Sequence, residues 1–181
     1  TDAVMLSEES AVGHNPALVV KTMVETIKSA ETIYPFDKFE QFTQHDAMDF
    51  VDESAVRLGD ALDADGIIVM TSSGTSARKI ARYRPKMTIF ASVHDEKIAR
   101  KLSLVWGVSP AFFTKKAELE EMMSGIVSKG LEKKILNKKA TYIFTAGDPV
   151  GVQGTTNLIR ILRENEMLFF DKRARVRELA L

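Results

Sequence analysis

Ile67-Ile68-Val69-Met70-Thr71-Ser72-Ser73-Gly74-Thr75-Ser76-Ala77-Arg78 decides the fold. Ile67 to Met70 is an unbroken apolar run, the pattern of a strand covered on both faces. A polar turn with one glycine follows, and a helical pattern then runs to Tyr83. Working outward, Ala47 to Leu62 precedes the strand with helical spacing, placing Phe50, Val51, Ala55, Leu58 and Leu62 on one side. Downstream, Met87 to Ala91 reads as a second strand and Glu96 to Val105 as a helix. Ser109 to Phe113 is a third strand, Ala117 to Leu131 a helix, Tyr142 to Phe144 a fourth strand and Asn157 to Leu162 a fifth. Strands alternating with helices predict a three-layer α/β domain: about five mostly parallel strands with helices on both faces.

The flanks differ. Ala3 to Leu6 reads as a short buried strand, and Asn15-Pro16 as a helix start, with Asn15 as cap and Pro16 at the first helical position. Val19, Val20, Met23, Val24 and Ile27 carry that helix to about Glu31. Residues 1–36 thus hold one strand and one helix without a core of their own, and read as the last unit of a preceding domain. Residues 37–44 have no period and read as a linker, 45–163 as the α/β domain, and 164–181 as a tail. In the tail, apolar Met167 to Phe170 precedes Lys172, Arg173, Arg175 and Arg177. It reads as a surface helix with a solvated basic face; the alternative is a docking segment for a neighbouring subunit. The opening at Thr1, inside an apolar run, reads as a chain cut from a longer protein.

Composition narrows the function classes. The 181 residues are 45% hydrophobic and 28% charged, a globular balance. Twenty-five basic residues match 25 acidic ones, so the basic footprint of a nucleic-acid binder is missing. With no cysteine there is no disulfide framework, thiolate metal site or thiol nucleophile, which suits a cytoplasmic protein. No apolar run approaches the roughly 20 residues of a membrane helix, so no membrane partner is expected. His14, His45 and His94 are scattered without partners at ligand spacing, so no metal site is expected. Glu8-Glu9 reads as a solvated turn, and Trp106-Gly107 as packing rather than a ligand platform.

Two loops carry the candidate chemistry. Thr71, Ser72, Ser73, Gly74, Thr75 and Ser76 lie between a strand end and a helix start, where ligands of open α/β sheets bind. Free helix N–H groups there favour phosphate, the hydroxyls add donors, and Gly74 lets the backbone approach the anion. A cap needs one hydroxyl; five within six residues exceed that need. The Gly-Lys-Ser/Thr end of a Walker A loop is missing. The second loop, Thr145 to Asn157, follows the fourth strand and contains Gly151, Gln153, Gly154 and Thr155. It reads either as the other wall of one anion site or as an irregular connection to an edge strand.

These residues carry a family resemblance. Asp2-Ala3-Val4-Met5-Leu6-Ser7 with Ala11, Gly13 and Pro16 resembles the last barrel strand and helix of pyruvate kinase. Thr71 to Arg78, Tyr83-Arg84-Pro85, Ala99-Arg100, Leu104 to Pro110, Pro149-Val150-Gly151 and Gly154 to Asn157 resemble its C-terminal domain. The resemblance runs from Asp2 to about Leu162. It implies a parent enzyme that moves a phosphoryl group from phosphoenolpyruvate to ADP in glycolysis, on a (β/α)8 barrel, with Mg²⁺ and K⁺. The family's reactive lysine, metal ligands and phosphate-binding arginine sit on earlier barrel strands, outside this chain, so the chain itself should be inactive. Ser7 matches a substrate-face position but cannot act alone, and Glu8 stands where many members have glycine. What remains implies a regulatory domain and tetramer interface, with a phosphorylated effector held by Thr71–Ser76 and covered by Gly151–Thr155. The parent's own barrel and a homotetramer are the implied partners. A free-standing domain with its own ligand, and a purely structural assembly domain, are the alternatives. In one group of the family an arginine before the fourth strand holds the second phosphate of fructose 1,6-bisphosphate. Here Glu118 to Met123 is acidic and apolar, and no arginine lies between Arg100 and Arg160. A monophosphate such as AMP or a sugar monophosphate is therefore expected over the bisphosphate.

Overall fold

The computed structural model describes residues 1–37, 39, 46–114, 117–150, 152 and 154–178. Near the start, α1 (Glu8–Ala11) and α2 (Pro16–Glu31) form a helical pair. Asn15 Oδ1 accepts the Leu18 N–H at 3.0 Å, and Pro16 occupies the first turn, where a missing N–H leaves nothing unpaired. No residue of α2 is buried. Residues 3–6 form no strand, contrary to the sequence expectation, and Val4 and Met5 are exposed. A strand needs a neighbouring edge for its backbone groups, and no described strand pairs with this stretch. Most of the expected linker lies outside the described residues.

The sheet follows: α3 (Ala47–Ala61), β1 (Gly66–Met70), α4 (Thr75–Ala81), β2 (Thr88–Val93), α5 (Glu96–Leu102), β3 (Val108–Phe113), α6 (Leu119–Glu132), β4 (Tyr142–Gly147), β5 (Thr156–Leu162) and α7 (Glu164–Glu178). The strand order is β3-β2-β1-β4-β5. β1 pairs in parallel with β2 and β4, and β2 with β3; β5 runs antiparallel on β4. The mostly parallel five-stranded sheet expected from the alternating pattern is the one observed.

Alternate side chains of each strand feed opposite cores. Ile67, Val69, Ile89, Ala91 and Ile143 pack with Ala55 and Val56 of α3, Ala77 and Ile80 of α4, and Leu102 of α5. Ile68, Tyr142, Phe144 and Leu162 pack on the other face with Met123, Ile126 and Val127 of α6, and with Met167 and Phe170 of α7. Both faces of β1 are therefore dry, which is why its sequence does not alternate.

Two helices depart from the sequence expectation. On α3 the buried set is Met48, Asp49, Asp52, Ala55, Val56 and Gly59, while Phe50 is 59% exposed. The helix is turned so that two aspartates face inward. On α7, Met167, Phe170 and Ala174 are buried at helical spacing. Its basic face is also engaged: Arg173 pairs with Glu120 and Arg177 with Glu121. The tail is thus packed onto α6 and its arginines are not simply solvated. Trp106 packs against Tyr34 and Phe36, with the Arg84 guanidinium 5.2 Å from its ring centre. Arg84 also pairs with Asp2.

Candidate functional site

In a parallel sheet every strand ends at the same edge, so the loops after β1, β2, β3 and β4 converge. Here they enclose a cavity of about 330 Å³. Thr71, Ser72, Ser73, Thr75 and Ser76 line it from the loop after β1, and Gly147, Val150, Val152, Gly154, Thr155 and Thr156 from the loop after β4. The two loops picked out in the sequence are therefore two walls of one space. Gly151 and Gln153 lie outside the described residues.

The loop after β1 is built by its own hydroxyls. Thr71 Oγ1 accepts the Gly74 N–H at 2.9 Å. Ser73 Oγ is 2.8 Å from Thr75 Oγ1, and the Thr75 N–H also points at Ser73 Oγ. Gly74 has φ +82°, the left-handed region that glycine adopts without steric penalty. It is buried, and a Cβ there would face Arg78, Leu102 and Ile98 rather than the cavity. The backbone approach expected of Gly74 is replaced by a turn-forming role, with its N–H already used.

Ser76 differs from its neighbours. It is buried, and its Oγ lies 2.7 Å from Thr156 Oγ1 and 3.9 Å from the Met48 sulfur. Ser73, three residues earlier in the same loop, is exposed. In the loop after β4, Asn157 exchanges two hydrogen bonds with the backbone of Asp148, at 2.9 and 2.7 Å. The Thr155 hydroxyl donates to Val152 O at 2.8 Å. These bonds shape the loop before any ligand is considered.

Several lining residues had no counterpart in the sequence reading of the site: Met48, Met70, Ser92, His94, Thr114 and Met122. Ser92 Oγ lies 3.1 Å from Thr114 Oγ1, bridging the ends of β2 and β3. Each stands at a strand end or a helix start, which is the one signal that marks them. The described lining combines hydroxyls with three thioethers and holds no lysine or arginine.

Behind the cavity, α3 and α4 are joined by charge. Asp49 receives Lys79 at 2.9 Å and Arg82 at 3.0 Å, and Lys79 also reaches Asp46 at 3.1 Å. The Asp49 N–H and the Lys79 ammonium hold the Asp46 carboxyl below the usual carboxylate range. Asp52 has no such help. It is fully buried, neither carboxyl oxygen has a hydrogen-bond partner, and burial pushes its carboxyl up to about 8. Lys79 and Arg82 pull against that shift, while Asp49 and Asp46 add to it.

Among the described residues no group of three His, Asp or Glu side chains converges as a metal site. No helix among them is long and apolar enough to cross a membrane. Residues 49–162 match the family described as pyruvate kinase, alpha/beta domain. The chain belongs to this family. A pyruvate kinase of Clostridium acetobutylicum is 36% identical over 165 residues, covering 89% of this chain and 35% of that protein. Another, from Lactobacillus delbrueckii subsp. bulgaricus, is 38% identical over 167 residues, covering 89% and 28%. The crystal structure of a pyruvate kinase from Cryptosporidium parvum superposes with a TM-score of 0.78 at 27% identity, covering 90% of this chain and 33% of that one. The chain spans about a third or less of the proteins it matches. The fold is that of the pyruvate kinase C-terminal α/β domain, and α7 lies beyond residues 49–162.

Proposed function

We propose that this chain is the effector-binding part of a pyruvate kinase, whose whole enzyme converts phosphoenolpyruvate and ADP to pyruvate and ATP. The observation that carries the reading is the meeting of the Thr71–Ser76 loop and the Gly147–Thr156 loop around one cavity at the carboxyl edge of the sheet. Hydroxyls at the floor suit a phosphate, and Met48, Met70 and Met122 suit the less polar remainder of a phosphorylated metabolite. AMP and sugar monophosphates are favoured over fructose 1,6-bisphosphate, because the described lining contains no cation for a second phosphate.

The chain itself has no phosphotransferase activity under this reading. Phosphoryl transfer needs cations to neutralise developing charge, and the described cavity lining presents no lysine or arginine. The family resemblance places the Mg²⁺ and K⁺ of the whole enzyme with its barrel. The cytoplasm is the compartment of such an enzyme. Within it the domain contributes to a tetramer and contacts its own barrel, and unequal affinity for an effector in two states would shift the population between them.

Calorimetric titration of AMP, ribose 5-phosphate, glucose 6-phosphate and fructose 1,6-bisphosphate into this chain tests the binding half. A coupled assay with phosphoenolpyruvate, ADP, Mg²⁺ and K⁺ tests the other. Saturable binding lost in Ser73→Ala, with background turnover, supports the reading. Turnover proportional to chain concentration after repurification overturns it, as does the absence of binding by every phosphate ester tried.

A further inference from the structure

The described lining of the cavity contains one ionisable side chain, His94. It follows β2 directly and is exposed to solvent. The backbone leading to it is fixed from both sides. Ser92 O accepts the Thr71 N–H at 3.0 Å, which ties the end of β2 to the hydroxyl loop after β1. Val93 O accepts the Thr114 N–H at 3.0 Å, which ties it to the end of β3. The Ser92 and Thr114 hydroxyls, 3.1 Å apart, repeat the second tie. His94 is thereby delivered to the same carboxyl edge as Thr71–Ser76.

The charged groups of the surrounding elements are engaged elsewhere. Asp95 Oδ1 accepts the Lys97 N–H at 2.7 Å as the cap of α5, and Glu96 pairs with Arg100 at 3.3 Å. On α4, Arg78 donates to Ser73 O at 3.4 Å and is not part of the lining. On α3, Asp49 is held by Lys79 and Arg82, and Met48 is what that helix gives to the lining. On α6, Glu118, Glu120 and Glu121 are outside the lining, and the last two pair with Arg173 and Arg177. Hydroxyls can bond to a phosphate but leave its charge unbalanced. A histidine gains a positive charge as pH falls from about 8 to about 6. We propose that His94 is the cation of the site: its imidazolium pairs with the phosphate of the ligand, while hydroxyls of Thr71–Ser76 bond the remaining oxygens. One such cation suits one phosphate. This rests on the phosphate-binding reading of the cavity and adds to it the residue that supplies the charge.

AMP is the probe, titrated by calorimetry into the unaltered chain, His94→Gln and His94→Arg at pH 6, 7 and 8. A phosphate monoester itself takes up a proton at about pH 6. The proteins are therefore compared at each pH, where the ligand is the same for all three. At pH 6 the glutamine variant should bind on the order of tenfold more weakly than the unaltered chain, the loss of a charge-assisted bond. At pH 8, where a histidine is neutral, the two should agree to within about twofold. An arginine keeps its charge throughout, so His94→Arg should bind on the order of tenfold more tightly than the unaltered chain at pH 8. That variant reads the same charge as a gain, independently of any damage done by the other. A glutamine variant equal to the unaltered chain at pH 6, or a loss of the same size at pH 6 and pH 8, overturns the role of His94 alone. So does an arginine variant no tighter than the glutamine variant at pH 8. Absence of AMP binding by the unaltered chain at every pH overturns the phosphate reading and this inference with it.

Discussion

Ser76 and Thr156, 80 residues apart in sequence, meet hydroxyl to hydroxyl at 2.7 Å in the buried floor of the cavity. This contact ties the start of α4 to the start of β5, and so one wall of the site to the other. It makes Ser76 a structural residue before it is a ligand residue. Ser76→Ala should destabilise the chain by about 1–3 kcal/mol, because Thr156 keeps a buried hydroxyl without its partner. The double change with Thr156→Val removes both polar groups and should recover much of that loss. Urea denaturation of Ser76→Ala, Thr156→Val and the double variant measures it. Strict additivity of the two single changes would show that the hydroxyls do not interact.

Ser73 makes the contrasting case. It is exposed, and its hydroxyl bonds within its own loop. Ser73→Ala should change stability by less than about 0.5 kcal/mol while removing a charge-assisted bond to phosphate, an effect of roughly 1.5–3 kcal/mol on affinity. Thermal melts and AMP titrations on the same preparation separate the two quantities. A variant that binds AMP as tightly as the parent places the phosphate elsewhere in the cavity.

These two serines mark how far the sequence could be read. The hydroxyl-rich stretch 71–76 was visible because it is contiguous, and β1 because a strand dry on both faces writes an unbroken apolar run. Ser92, Thr114 and Met48 were not visible: each is a single residue, gathered only by a strand order of β3-β2-β1-β4-β5 that arises from distant pairing. The buried face of α3 departs from the apolar periodicity for a different reason. Periodicity assumes an apolar buried face, whereas Asp49 is buried with Lys79 and Arg82 as partners and Phe50 points outward. The pairing of Arg173 with Glu120 spans 53 residues and leaves no local trace.

The preference for a monophosphate rested in part on repulsion by the acidic stretch 118–123. With Glu120 and Glu121 each paired to an arginine, that repulsion is reduced. What still favours the monophosphate is a described lining without lysine or arginine. Side-by-side calorimetry should find fructose 1,6-bisphosphate binding no more tightly than AMP. A bisphosphate at least tenfold tighter than every monophosphate would assign a cation to the second phosphate and overturn the preference.

Asp52 carries the last prediction. Its carboxyl is fully buried and its oxygens have no hydrogen-bond partner, while the nearby cations Lys79 and Arg82 are engaged with Asp49. Burial pushes the carboxyl from near 4 up to about 8. The folded chain therefore holds this proton more tightly than the unfolded chain does, and folding takes up a proton between about pH 4 and pH 8. Stability from this group is present in full below the unfolded value and declines as pH rises through that window. Asp52→Asn keeps the shape and removes the titration. Its stability should match the parent near pH 3, where Asp52 is protonated in the folded and the unfolded chain alike, and exceed it on the order of 4 kcal/mol at pH 7. Urea denaturation at pH 5, 6, 7 and 8 follows the divergence directly. Parallel stability profiles for the two proteins over that range would mean that Asp52 is ionised in the folded chain, and that the Lys79 and Arg82 field outweighs its burial.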